Sequence, residues 1–162
     1  MAVTRWVVRA LAHTRFVTTP LYRLVLVAAL FSALLQLVYG APNSVVATSG
    51  GGWFEWVFVA FQIVGSTAAL GGLYLVEGES PWSINPSPPV VPDPPRLQVS
   101  LTLELWGLIC LQTVMAIQIA ASTFYQGRVP SSLALWLVIV FWVWSLFRSR
   151  DIIRALRRLT RS

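Results

Sequence analysis

Lysine is absent from this 162-residue chain, and charge of either sign is scarce. Twelve arginines, six acidic residues and one histidine are all it carries, and only 11% of its residues are charged. Soluble domains hold about 25% charged residues, so this composition lies outside the soluble globular class. Cys110 is the single cysteine and His13 the single histidine. One cysteine excludes an intramolecular disulfide, and one cysteine with one histidine cannot supply a zinc site. Cys110, inside an apolar run, reads as a small core hydrophobe. The glycine stretch "SGGGW" lacks the Lys-Ser/Thr and the strand-to-helix setting of a phosphate loop, and neither HExxH nor CxxC occurs. His13 has no acid near it in sequence, so neither a triad nor haem ligation is expected. No catalytic, cofactor-binding or metal-binding residue and no small-molecule substrate is identified, and an enzyme is not expected.

What the chain has is apolar length. Hydrophobic residues make up 56% of it, and the mean hydropathy is +0.69. Four runs are long enough to cross about 30 Å of hydrocarbon, which takes about 20 helical residues. They lie at about 20–40, 53–76, 101–124 and 131–149. Pro20 suits a first helical turn, and Ser131 or Ser132 can cap the fourth run. The short segments 41–52 and 125–130 connect runs one to two and three to four. The segment 78–96 holds seven of the ten prolines and reads as an extended, polyproline-like linker, or as a docking segment for an aromatic groove.

The ends are basic. Residues 1–19 place Arg5, Arg9 and His13 at i, i+4 spacing among apolar residues. They suit an interfacial amphipathic arm or a frayed basic tail rather than a cleaved signal. Residues 150–162 place Ile152, Ile153, Leu156 and Leu159 on one side, with Arg150, Arg154, Arg157, Arg158 and Arg161 available to lipid headgroups, and read as a surface helix continuing from the fourth run. The expected architecture is an all-α integral membrane protein. Its four-helix transmembrane domain spans 20–149, flanked by the two basic arms and interrupted by the Pro-rich loop.

An even number of spans puts both termini on one side, and eleven of the twelve arginines then share it; only Arg128 lies opposite. The positive-inside rule places the termini and the Pro-rich loop in the cytoplasm, in the inner or plasma membrane. Tyr39, Trp53, Trp56 and Tyr125 would form the outward aromatic belt, and Trp82 and Trp106 the inward one. A net charge of +6 beside apolar spans points to anionic headgroups as partner rather than nucleic acid.

The spans also carry polar residues. Glu104 lies one or two turns inside the third, near the end where the fourth delivers Arg148 and Arg150. A pair of Glu104 with either arginine would relieve the cost of an intramembrane charge, and Glu77 could join or compete. Glu104, Gly107, Leu111, Met115, Gln118 and Ser122 share a helix face, with Gln112 about 80° away. Glu55, Gln62, Gly65, Ser66 and Ala69 share one on the second span, and Ser32 and Gln36 are a turn apart on the first. Gly65-xxx-Ala69 and Ala68-xxx-Gly72 are small-xxx-small patterns that allow close helix approach. Two readings follow for these faces: glue for a bundle or homo-oligomer, or the lining of a polar lesion or proton path.

The stretches "TTPLYRLVLVAAL", "FQIVGSTAALGGLYL", "LELWGL" and "FRSRDIIRALRRL" together resemble small four-span membrane proteins of actinobacterial phages, which lie in lysis cassettes and are regarded as holins or holin partners. The resemblance implies a non-enzymatic protein that oligomerises in the inner membrane and permeabilises it during host lysis. The long Pro-rich loop departs from that pattern. The competing readings are an accessory or scaffold subunit of a membrane complex, binding other membrane proteins, and a small transporter with Glu104 as its coupling carboxylate. No inverted repeat supports the transporter.

Overall fold

A computed structural model describes residues 19–50, 52–77, 94–127 and 131–160, and every described element is a helix. These are α1 (Thr19–Tyr39), α2 (Asn43–Ser49), α3 (Trp53–Glu77), α4 (Pro94–Gln126) and α5 (Leu133–Leu159). Four of them, α1, α3, α4 and α5, are long and apolar enough to cross a bilayer. The arm at 1–18, residues 78–93 of the Pro-rich loop, Arg128 and Arg161 lie outside the described residues.

Two features differ from the sequence expectation. First, α4 has 33 residues and begins at Pro94, inside the segment read as linker. Pro94 and Pro95 occupy its first turn, where a missing N–H costs no helical hydrogen bond. At 1.5 Å per residue α4 is about 50 Å long, well beyond a hydrocarbon core of about 30 Å.

Second, the connection 41–52 contains a helix, α2. Pro42 sets its start, and the Pro42 carbonyl accepts from the N–H groups of Val45 (2.8 Å) and Val46 (3.1 Å). Gly50 ends it in the left-handed conformation at φ +75°, which side-chain-bearing residues rarely adopt. Val45 is fully buried against α3 and α4, in a cluster with Ala41, Phe58, Val59, Val114 and Ala121.

The basic C-terminal segment, read as a helix continuing from the fourth run, is the unbroken end of α5, a 27-residue helix. Its buried side is Ile152 and Ala155, with Leu156 and Leu159 partly buried, while Ile153 is exposed. These residues pack in the cluster that contains Leu97 and Leu101 of α4. The early turns of α4 thus give the end of α5 an apolar partner.

The long helices run antiparallel to their neighbours. α4 is central and packs against α3, α5 and α2, while α1 packs on α3. The start of α1, the end of α3, the start of α4 and the end of α5 share one end of the bundle. Tyr22 meets Trp144 there, with ring centroids 4.8 Å apart, and Arg23 lies 5.6 Å from the Tyr74 ring centroid. Ser132 caps α5 by accepting the Leu135 N–H at 3.3 Å. Large apolar side chains remain exposed along α1 (Leu24, Phe31, Leu34) and α5 (Leu137, Val140, Phe147), as lipid contact requires.

Candidate functional site

The chemistry-bearing side chains lie at several helix contacts along the bundle, here called its polar seam, with an ion pair joining three helices at one end. Glu104 projects from α4 and is fully buried. Arg148 of α5 grips both its oxygens: Nε donates to Oε1 at 3.0 Å and Nη2 to Oε2 at 3.3 Å. The Tyr22 hydroxyl of α1 donates to Oε1 at 3.4 Å. Three helices therefore converge on one carboxylate. About 30 Å of helix rise separates Glu104 from Tyr125, so the ion pair lies toward the end of the bundle opposite Tyr125.

Arg150 does not share the Arg148 position. Two residues along a helix turn a side chain by about 160°, and Arg150 is exposed on the far side of α5. The side chain of Glu77 lies outside the described ones.

Next to the pair, α3 and α4 touch backbone to backbone. Gly65, Ala69 and Gly72 are buried and face Ser100, Gly107 and Leu111, and the Ser100 hydroxyl donates to the Gly72 carbonyl. The contacting pattern is thus Gly65, Ala69, Gly72, whereas Ala68 is only half-buried. A residue with a Cβ at 72 or 107 would collide with the opposite main chain.

The glutamines bond across or along helices. Gln62 Nε2 donates to the Ala29 carbonyl of α1 at 2.9 Å. Gln112 Nε2 donates to Ser149 Oγ at 2.8 Å, and Trp142 Nε1 donates to the Gln112 carbonyl at 3.1 Å. Gln118 Nε2 donates to Ser122 Oγ at 3.5 Å, and Ser122 lies 3.5 Å from Ser44 Oγ at the start of α2. On α1, Gln36 Nε2 donates to Ser32 Oγ at 3.2 Å. Ser66 Oγ and Gln118 Oε1 are buried without a hydrogen-bond partner. Such groups cost about 1–3 kcal/mol each, so the seam is closed but incompletely satisfied.

Several seam residues escape the sequence reading. Tyr22 offers no periodic signal, because its partners come from α4 and α5. Ser145 and Ser149 do carry one: they are a small-xxx-small pair on the buried face of α5. Ser100 falls in the segment where the third span was expected only to begin.

Replacing Gln62 by leucine should cost about 0.6–1.7 kcal/mol, the range of interhelical hydrogen bonds inside membranes. The same change at exposed Thr67 should cost nothing measurable. Equilibrium unfolding in mixed micelles, followed by tryptophan fluorescence, checks both.

Among the described residues no three His, Cys, Asp or Glu side chains gather as a metal site would require. Arg154, Arg157 and Arg158 are exposed on the last turns of α5. Comparison with protein-family models, with curated proteins and with solved structures finds no match to this chain.

Proposed function

We propose that the chain is a non-enzymatic multi-pass protein of the inner membrane with holin-like action. Copies accumulate in the bilayer, associate, and rearrange to permeabilise it during phage-driven lysis. Both termini and the Pro-rich loop face the cytoplasm, because eleven of twelve arginines then lie inside.

The observation that carries this reading is the seam. Polar side chains rare in bilayer-spanning helices are held shut inside one bundle, with Ser66 and Gln118 left short of partners. If α3, α4 and α5 separate, Gln62, Gln112, Gln118 and Glu104 become a wetted rim, and water supplies the missing bonds. The seam's interhelical bonds keep each copy inert until that moment.

Inducible expression in a bacterial host with a potential-sensitive dye tests the proposal. The expected result is a delayed, abrupt collapse of membrane potential once the protein passes a threshold level. Full potential at high expression would overturn it.

The accessory-subunit reading has its own support in the bidentate Glu104–Arg148 pair, which suits a permanently closed bundle. Harmless overexpression with stable co-purification of other membrane proteins would select it. A coupling role for Glu104 fits poorly with a carboxylate engaged on both oxygens.

A further inference from the structure

One exposed face of α5 changes character along its length. From Leu133 onward it presents Val140, Val143 and Phe147, which are 62%, 41% and 61% exposed. The same face then presents Arg150, Arg154, Arg157 and Arg158, all exposed. At 100° per residue the four arginines fall within an arc of about 100°, and the three apolar residues fall in the same arc. The buried side, Ser145, Ser149, Ile152 and Ala155, is centred roughly opposite. The packing of Ile152 and Ala155 in the cluster with Leu97 and Leu101 of α4 fixes this rotation.

Depth agrees with chemistry. If the bilayer begins at Leu133, a hydrocarbon core of about 30 Å ends about 20 residues later, near Ile153. Arg150 then sits just inside that edge, within snorkelling reach of it. Arg154 and Arg157 lie in the headgroup layer, and Arg158 about 8 Å beyond the edge. The Asp151 carboxylate, 3.7 Å from Arg154 Nη1, is the one acid among the described residues of α5.

We infer that this face binds whole anionic phospholipids. An acyl chain lies along Val140, Val143 and Phe147, and the headgroup phosphate is held by Arg150 and Arg154, with Arg157 and Arg158 completing the positive field. The inference rests on the membrane-spanning reading and deepens it. A soluble acidic partner fits less well, because the basic strip starts at the hydrocarbon edge and continues directly from an acyl-compatible surface.

The test uses the full chain in nanodiscs of mixed phosphatidylcholine and phosphatidylglycerol, with retained lipid measured by mass spectrometry after mild detergent extraction. Wild type should retain phosphatidylglycerol about fivefold over phosphatidylcholine, falling with salt, as expected for arginines at an anionic surface. The variant R150Q/R154Q/R157Q/R158Q should lose that preference, and the corresponding four-lysine variant should keep most of it. These exposed side chains leave the packed face untouched, so all three proteins should show the same unfolding midpoint in neutral micelles. Equal retention of the two lipids by wild type, or undiminished preference in the glutamine variant, overturns the inference. So does recovery from cells of a stoichiometric acidic protein bound through the strip without lipid preference. Failure to enter nanodiscs at all would instead sink the membrane reading itself.

Discussion

Replacing Arg148 by methionine should destabilise the bundle by about 3–5 kcal/mol, because it strands a fully buried Glu104 carboxylate. The loss is larger than any hydrogen bond in the seam can give, since the bonds that remain, such as that from Tyr22, do not offset the desolvation of a full charge. The double variant E104L/R148M should be far milder. Apolar replacement of a whole buried pair is often neutral, or stabilising by about 1–4 kcal/mol. Tyr22 loses an acceptor in that variant but keeps its packing on Trp144. Unfolding in mixed micelles distinguishes the cases. Equal losses in the single and double variants would show that the pair does not behave as a buried, mutually compensating unit. Under the holin-like proposal the single variant should also collapse membrane potential earlier after induction, since Tyr22, Glu104 and Arg148 close three helices at one point.

How much of this was legible depends on whether a feature is local. Glu104 stood out because a carboxylate in an apolar run needs a cation at the same depth, and α5 delivers Arg148 there. Helical phase then separates Arg148 from Arg150, although phase cannot be set from sequence until the buried face of α5 is known. That face reads badly in sequence because three of its five buried residues, Ser145, Ser149 and Ala155, are small, and only Leu135 and Ile152 are large and apolar. Between membrane helices small residues mark contact and large apolar ones mark lipid. The segment "NSVVATS" hides α2 for another reason: seven residues with three β-branched side chains form no stable helix alone. It is held by burial of Val45 against α3 and α4. The start of α4 was obscured by composition, as a proline run reads as extended chain until Leu97 and Leu101 are seen to pack with Ile152 and Ala155. Tyr22 was out of reach, being defined only by partners far away in the chain.

The α3–α4 contact sets the other large effect. A Cβ built at Gly72 stands 2.6 Å from the Glu104 amide nitrogen and 2.8 Å from the Ser100 carbonyl. One built at Gly107 crowds the Ala69 amide and stands 2.6 Å from the Gly65 carbonyl. These neighbours are main chain inside helices, so no rotamer change relieves them and the two helices must move apart. G107L should therefore cost about 3 kcal/mol, the upper part of the usual overpacking range. Gly71 provides the contrast one residue from Gly72. Its Cβ would meet only the Leu103 side chain, at 3.4 Å. G71A should be nearly neutral, or slightly stabilising, because alanine favours a helix over glycine by about 1 kcal/mol. The displacement in G107L also carries the Glu104 backbone away from α3 and from α1 packed on it, loosening the carboxylate's bond from Tyr22 in the same network as Arg148. Combining G107L with R148M should then cost less than the sum of the two alone, since neighbouring changes that break one network are not additive. Full additivity in mixed-micelle unfolding would mean that the glycine contact and the ion pair are independent, and that separating α3 from α4 does not open the clasp.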